Sequence, residues 1–258
     1  MKACVRSNDI AQYEVVKKPL KPNRPSLPFN PAVRATVEGK RRWALPEQMV
    51  EAKKGFRGWH ERGYLPHRDI AGLTQFVTFH LADSFPNSLK SEWEHYASIV
   101  DNRERRKKLE AYLDRSKGRC HLKLPAIARL VENNFRDFAG ERYELLAWAI
   151  MPNHVHVLFR PQKASMSVII GDWKKHTGRL ANKLLGRRGP FWSVDYFDIY
   201  MRDAAHERRT VRYIENNPTK AGLVLRPDEW PWSSARFRDE FGRLRLGSER
   251  EAVTRSDI

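Results

Sequence analysis

Two hydrophobic periods alternate along most of this chain, and the switches between them mark its elements. Gln75-Phe76-Val77-Thr78-Phe79-His80-Leu81 is rich in β-branched and aromatic residues and predicts a strand. A charged stretch from about Leu89 to Arg115 predicts a helix. Pro125 opens another through Phe138, with Ile127, Leu130, Val131 and Asn134 at helical spacing. Tyr143 to Ile150 returns to a strand pattern. The Pro152-Asn153 turn then leads directly into a second apolar, β-branched run, which predicts a β-hairpin. Met166 to Leu185 predicts a helix, and Phe191 to Tyr200 an aromatic, strand-rich stretch. Asp203 is a fair N-cap for a last helix from Ala204 to about Asn216. The order β-α-α-β-β-α-β-α predicts an α+β fold, an antiparallel sheet with helices packed on it, of ferredoxin-like kind.

The pattern lapses at both ends. Over residues 1–58, Pro19, Pro22, Pro25, Pro28 and Pro31 recur every third position, and proline removes a donor while fixing φ, so an extended arm is expected. Residues 1–60 hold 13 Lys/Arg against 5 Asp/Glu, densest at Lys40-Arg41-Arg42-Trp43, with a short helix expected near Pro46 to Lys54. Residues 59–240 form the expected globular domain, and 241–258 a polar tail. The whole chain carries 48 Lys/Arg against 31 Asp/Glu, a net charge of +17, which points to a polyanionic partner, most simply nucleic acid. No run approaches the ~18 apolar residues that span a bilayer, so no membrane partner is expected. Met1-Lys2-Ala3-Cys4-Val5-Arg6 has no apolar signal core, and Cys4 and Cys120 make neither a disulfide framework nor a zinc pattern. A cytoplasmic location is expected.

The strand after the Pro152-Asn153 turn carries the candidate chemistry. His154 and His156 lie two residues apart, so both project from one face, and paired imidazoles suit a divalent metal. A structural, hydrogen-bonded histidine pair is the alternative. About sixty residues on, Arg212-Tyr213-Ile214-Glu215-Asn216-Asn217-Pro218 sets Tyr213 and Asn217 one helical turn apart, although Asn-Pro also reads as a helix stop. The combination suits phosphodiester cleavage. A phenol with a pKa near ~10 is a poor nucleophile at neutral pH, and a metal on two imidazoles and one amide oxygen keeps positions open for phosphate oxygens. Mg²⁺ or Mn²⁺ is the expected ion, with Zn²⁺ or Ni²⁺ able to bind more tightly.

With these residues the chain resembles the REP-associated tyrosine transposases, single-tyrosine HUH transposases related to small bacterial insertion sequences. The resemblance runs from about Gly63 to Ser234. It rests on Gly63-Tyr64-Leu65-Pro66-His67, Gln75–Phe79, Ala147–Leu158, Tyr196-Phe197, Arg212–Val224 and Trp230-Pro231-Trp232-Ser233-Ser234. It implies an HUH endonuclease fold and a sequence- and structure-specific nuclease for single-stranded DNA bearing a small palindromic hairpin. Tyr213 would attack the scissile phosphate and leave a 5′-phosphotyrosine, with His154, His156 and Asn217 as metal ligands. Tyr64, Leu65, Pro66 and His67 match the segment that helps read the bases beside the hairpin. A monomer is expected, associated with a bacterial nucleoid. The long basic arm departs from the compact family pattern.

Outside the resemblance, Lys174, Lys175, His176 and Arg179 crowd one helix, with Arg187-Arg188 after it; Lys174, Lys175 and Arg179 are expected phosphate contacts. Tyr64, Trp192, Trp230 and Trp232 are candidate stacking surfaces or core. Two rival functions use the same features: a catalytically silent protein that grips DNA or RNA hairpins, and a hydrolase of small phosphoesters using the His pair without Tyr213. Four intact chemical positions disfavour the first, and the net charge disfavours the second.

Overall fold

The computed structural model describes residues 54–61, 66–84, 102–194 and 196–246, all within the unit Leu45–Ile258. The basic arm up to residue 53, Tyr64, Leu65 and the last twelve residues lie outside them. In chain order the elements are β1 (Gly58–Glu61), β2 (Pro66–Asp69), β3 (Gln75–His80), α1 (Asn102–Leu113), α2 (Pro125–Asp137), β4 (Tyr143–Ile150), β5 (His154–Pro161), α3 (Met166–Leu184), β6 (Phe197–Tyr200) and α4 (Ala204–Lys220). β1 and β2 form an antiparallel ribbon of their own. The other four strands form one antiparallel sheet in the order β4-β5-β3-β6. Helices between and after these strands make the architecture α+β, as the hydrophobic pattern predicts.

Strand alternation sorts the side chains onto two faces. Val77 and Phe79 of β3, Val155, Val157 and Phe159 of β5, and Trp148 and Ile150 of β4 pack against Val131 and Phe135 of α2 and Ile169, Ile170 and Trp173 of α3. On the other face Phe76, Ala147, Ala149, Met151 and Leu158 meet Ile214 of α4. A bulge between Leu145 and Ala147 shifts the parity of β4, so Trp148 and Ile150 join Leu145 on the α2/α3 face. One covering helix on each face starts from a side-chain cap: Ser165 accepts from Val168 N for α3, and Asp203 from His206 N for α4.

The structure revises four expectations. α4 does not stop at Asn216 but runs to Lys220 with Pro218 inside it. Proline in the last turn gives up a single helical bond, and Ala221 N and Leu223 N donate to Asn217 O and Pro218 O beyond it. Burial of Asn217 and Pro218 then outweighs the local preference. Within Phe191–Tyr200 only Phe197–Tyr200 is a strand; Trp192 makes an isolated bridge to Leu81. The β1–β2 ribbon, with no clear alternation to announce it, was not expected at all. Residues 242–246 turn back, Arg245 N donating to Phe237 O, and Leu244 and Leu246 pack on the core. Of the expected charged helix over 89–115, residues 102–113 are helical and 85–101 lie outside the described residues.

The aromatic motif Trp230–Ser234 is also structural. Ile150 N donates to Trp232 O, Ala149 bridges Ser233, and Trp230 Nε1 donates to Ile150 O. The segment therefore closes the outer edge of β4. Trp192 is core too: it is buried and its indole donates to Thr177 Oγ1 at 2.8 Å.

Candidate active site

β5 enters the sheet directly from its turn, and the turn is tied down on three sides. Met151 N donates to His154 O, Leu81 N to Asn153 O, and Asn153 Nδ2 to Lys117 O at 3.0 Å. The last contact orients the Asn153 amide, so its Oδ1 faces His154 Nδ1 at 2.8 Å. An amide oxygen only accepts, so Nδ1 carries the proton and Nε2 a lone pair. For His156, Asn217 Nδ2 donates to Nε2 at 3.1 Å, which leaves Nδ1–H to donate to Thr78 Oγ1 at 2.8 Å. The two Nε2 lone pairs thus face each other at 3.1 Å. Burial holds the His154 imidazolium well below the usual histidine range, with His156 and His80 adding to the effect.

α4 crosses the same face. Its Asn217 is wholly buried, and one turn earlier the half-buried Tyr213 hydroxyl accepts from Asn217 Nδ2 at 3.3 Å. The Tyr213 ring meets the Phe76 and His156 rings, each at 5.9 Å. Lys220 Nζ stands 5.8 Å from the Tyr213 ring centre. Four side chains separated by up to 63 positions therefore form one continuous chain of contacts: His154, His156, Asn217, Tyr213.

This donor set fits a divalent ion. Two nitrogens bound to one ion at ~2.1 Å and roughly right or tetrahedral angles lie about 3.0–3.4 Å apart, which brackets the observed imidazole separation. Asn217 Oδ1 is buried without a hydrogen-bond partner among the described residues, and a half-turn of the amide points it at the imidazoles. Among the described residues no three His, Cys, Asp or Glu side chains are already gathered as a metal cluster, so a further donor has to turn or close onto the imidazole pair, as the Asn217 amide does by its half-turn.

The remaining expected site residues lie elsewhere. His67 is buried on β2, with its Nδ1 against Asp198 Oδ1 of β6 and its ring 5.4 Å from Tyr196. Pro66 begins β2. Tyr64 and Leu65 lie outside the described residues. Lys174, Lys175 and Arg179 are on α3, across the sheet from Tyr213. Lys174 donates to Val194 O, while Lys175 and Arg179 line a groove of about 760 Å³ between α2 and α3 with Arg142, Asp137 and Asp172. On the Tyr213 side the exposed cations are Arg208, Arg209, Arg212 and Lys220 of α4. Sequence reasoning did not single these out, though their spacing around Tyr213 was readable. Thr78 and Asn153, which receive the Nδ1 protons of the two imidazoles, could be found only through strand register and turn geometry.

Residues 123–217 match the family model described as IS200-like transposase. The matched segment runs from just before α2 to Asn217 and contains both imidazoles and Tyr213. Among solved structures, a REP-associated tyrosine transposase bound to a REP hairpin is 19% identical, over 72% of this chain and 88% of that one, at a TM-score of 0.44. A protein of Deinococcus radiodurans R1 described as a putative transposase is 16% identical, over 61% of this chain and 96% of that one, at a TM-score of 0.28. At these scores neither likeness carries an argument about this chain. No curated protein sequence matches the chain. No helix among the described residues is long and apolar enough to cross a membrane.

Proposed function

We propose that this protein is a metal-dependent nuclease and strand transferase for single-stranded DNA carrying a small hairpin, acting through Tyr213. The observation that supports this most is the continuous contact from the Tyr213 hydroxyl through Asn217 to two imidazoles whose lone pairs converge. A merely structural tyrosine does not need a buried amide that links it to a paired-imidazole site. The hairpin substrate rests on the family resemblance, and DNA as the polymer is consistent with the net charge of +17.

Tyr213 Oη forms the bond to phosphorus as the P–O3′ bond breaks. The products are a 5′-phosphotyrosine and a free 3′-hydroxyl, and the phenolic proton ends on the departing oxygen. The bond energy is retained, so the reverse attack by a 3′-hydroxyl rejoins strands without a nucleotide cofactor. Asn217 orients the phenol, its amide meeting the Tyr213 hydroxyl one helical turn away. His154, His156 and Asn217 would hold Mg²⁺ or Mn²⁺, which when bound supplies Lewis acidity to the phosphate oxygens. The imidazoles and amide are buried while Tyr213 is not, so DNA has to approach past Tyr213 and the exposed cations of α4. Phosphate contacts there position the strand without reading its sequence.

The test is incubation of the protein with a hairpin-bearing single strand and Mn²⁺, read as a denaturation-resistant protein–DNA adduct. Wild type is expected to form it and Tyr213→Phe not to. An adduct that persists in Tyr213→Phe moves the nucleophile to another residue and overturns the reading.

A further inference from the structure

The loop that follows α1 brings a carboxylate to the same site. Asp114 Oδ1 lies 3.9 Å from His154 Nε2, and that oxygen is buried with no hydrogen-bond partner among the described residues. Ligands of one ion at ~2.1–2.2 Å lie about 3.0–4.3 Å apart, depending on the angle between them, so Asp114 stands within reach of whatever the two imidazoles hold. A buried carboxylate oxygen with no donor is costly unless a cation or proton faces it. The Asn217 oxygen is orphaned in the same way. One unpartnered carboxylate oxygen thus stands beside two facing lone pairs, and the half-turn of Asn217 would bring the second orphaned acceptor to them. Lys220 is the nearby cation whose field acts on Asp114, and it belongs to the same helix as Tyr213 and Asn217.

We propose that Asp114 is the anionic member of this cation site and biases it toward hard ions of the Mg²⁺/Mn²⁺ class over Zn²⁺ and Ni²⁺. The inference rests on the metal reading of His154, His156 and Asn217. Two imidazoles and an amide alone are a neutral set that favours the later transition metals; adding a carboxylate supplies the oxygen-rich, charged environment that harder ions take. The loop carrying Asp114 is held against the hairpin turn by the Asn153–Lys117 contact. Its Gly118 has φ +88°, and a Cβ there would stand 2.6 Å from Asp83 O. The backbone geometry that delivers Asp114 is therefore built into the fold.

The test is calorimetric titration of the full chain with MnCl₂ alone and with NiCl₂ alone, without DNA. Changes around a metal site cost about 10–100-fold in affinity, so Asp114→Asn is expected to weaken Mn²⁺ at least tenfold and Ni²⁺ clearly less. Lys220→Met is expected to leave Mn²⁺ affinity unchanged or raise it, because it removes a positive charge; if Asp114 merely anchored Lys220, both variants would weaken Mn²⁺ alike. Wild-type affinity for both ions in Asp114→Asn, with binding abolished in the His154→Ala, His156→Ala double variant, overturns this inference and leaves the metal site standing. Wild-type affinity in the double variant overturns the metal reading itself. Independently of any variant's folding, Mn²⁺ should broaden the Asp114 carboxyl carbon resonance of the wild type while those of Asp203 and Asp239 persist. A sharp Asp114 signal at saturating Mn²⁺ overturns the proposal.

Discussion

Along β5, Val155, Val157 and Phe159 face α2 and α3, while His154, His156 and Leu158 face α4. The two faces of one strand serve different ends. The first is a dry aromatic core in which Phe135, Tyr143, Phe159 and Trp173 meet edge to face at 4.8–5.8 Å. The second buries histidine, threonine and asparagine beside a smaller apolar cluster. Buried polar groups cost free energy unless paired, so the second face contributes less to stability and concentrates the chemistry. A single backbone supports both because side chains alternate, and stiffness gained on one side holds geometry on the other.

The sharpest break of this contrast is Tyr213→Phe. Only a hydroxyl on the polar face is lost, so the covalent DNA adduct is expected to vanish while DNA binding, read by fluorescence anisotropy, stays nearly unchanged. The converse is Phe159→Ala on the core face, expected to cost about 3–5 kcal/mol in urea unfolding, as large aromatic-to-alanine core changes do. Material that remains folded should still form the adduct; loss of both together would mean the faces are not separable. The His154→Ala, His156→Ala double variant should abolish Mn²⁺ binding in calorimetry yet destabilise the protein less than Phe159→Ala, because it also removes partly compensated buried polar groups. Gly118→Ala tests the loop held against the hairpin turn. With φ at +88° and Asp83 O in the way, it should cost about 1–3 kcal/mol by thermal or urea unfolding. The smallest effect belongs to Lys175→Ala with Arg179→Ala on the far side of the sheet. As these are the expected phosphate contacts of α3, their removal should flatten the logarithmic salt dependence of DNA binding by about 1–2, with adduct yield at saturating DNA unchanged. An equal loss of adduct yield would place the reacting strand against α3.

The hydrophobic periods alone located β3, α2, the β4–β5 hairpin and α3 nearly to their ends, since each is long and bounded by proline, a turn or a cap. They missed the β1–β2 ribbon, whose Gly58–Glu61 and Pro66–Asp69 strands have four residues each and no alternating pattern. They also ended α4 too soon, because Asn217-Pro218 is a local stop signal that burial overrides. At the site, spacing in the chain put His154 beside His156 and Tyr213 one turn from Asn217. The motif Trp230–Ser234 was visible as a motif, but its work as the cover of the β4 edge was not.

What the sequence determined by itself is therefore local: which residues can pair within one strand or one helical turn, and the excess of positive charge. That the two pairs meet is a tertiary fact. It depends on α4 lying over β5 with Ile214 seated against Ala147, Ala149 and Leu158, a packing choice made by small side chains far apart in the chain. The imidazole tautomers depend on Asn217 from α4 and on Lys117 O holding Asn153, and Asp114 arrives from a loop with no sequence signature. Periodicity records neighbours along the chain; a buried polar site is assembled from neighbours across it, and only packing brings those together.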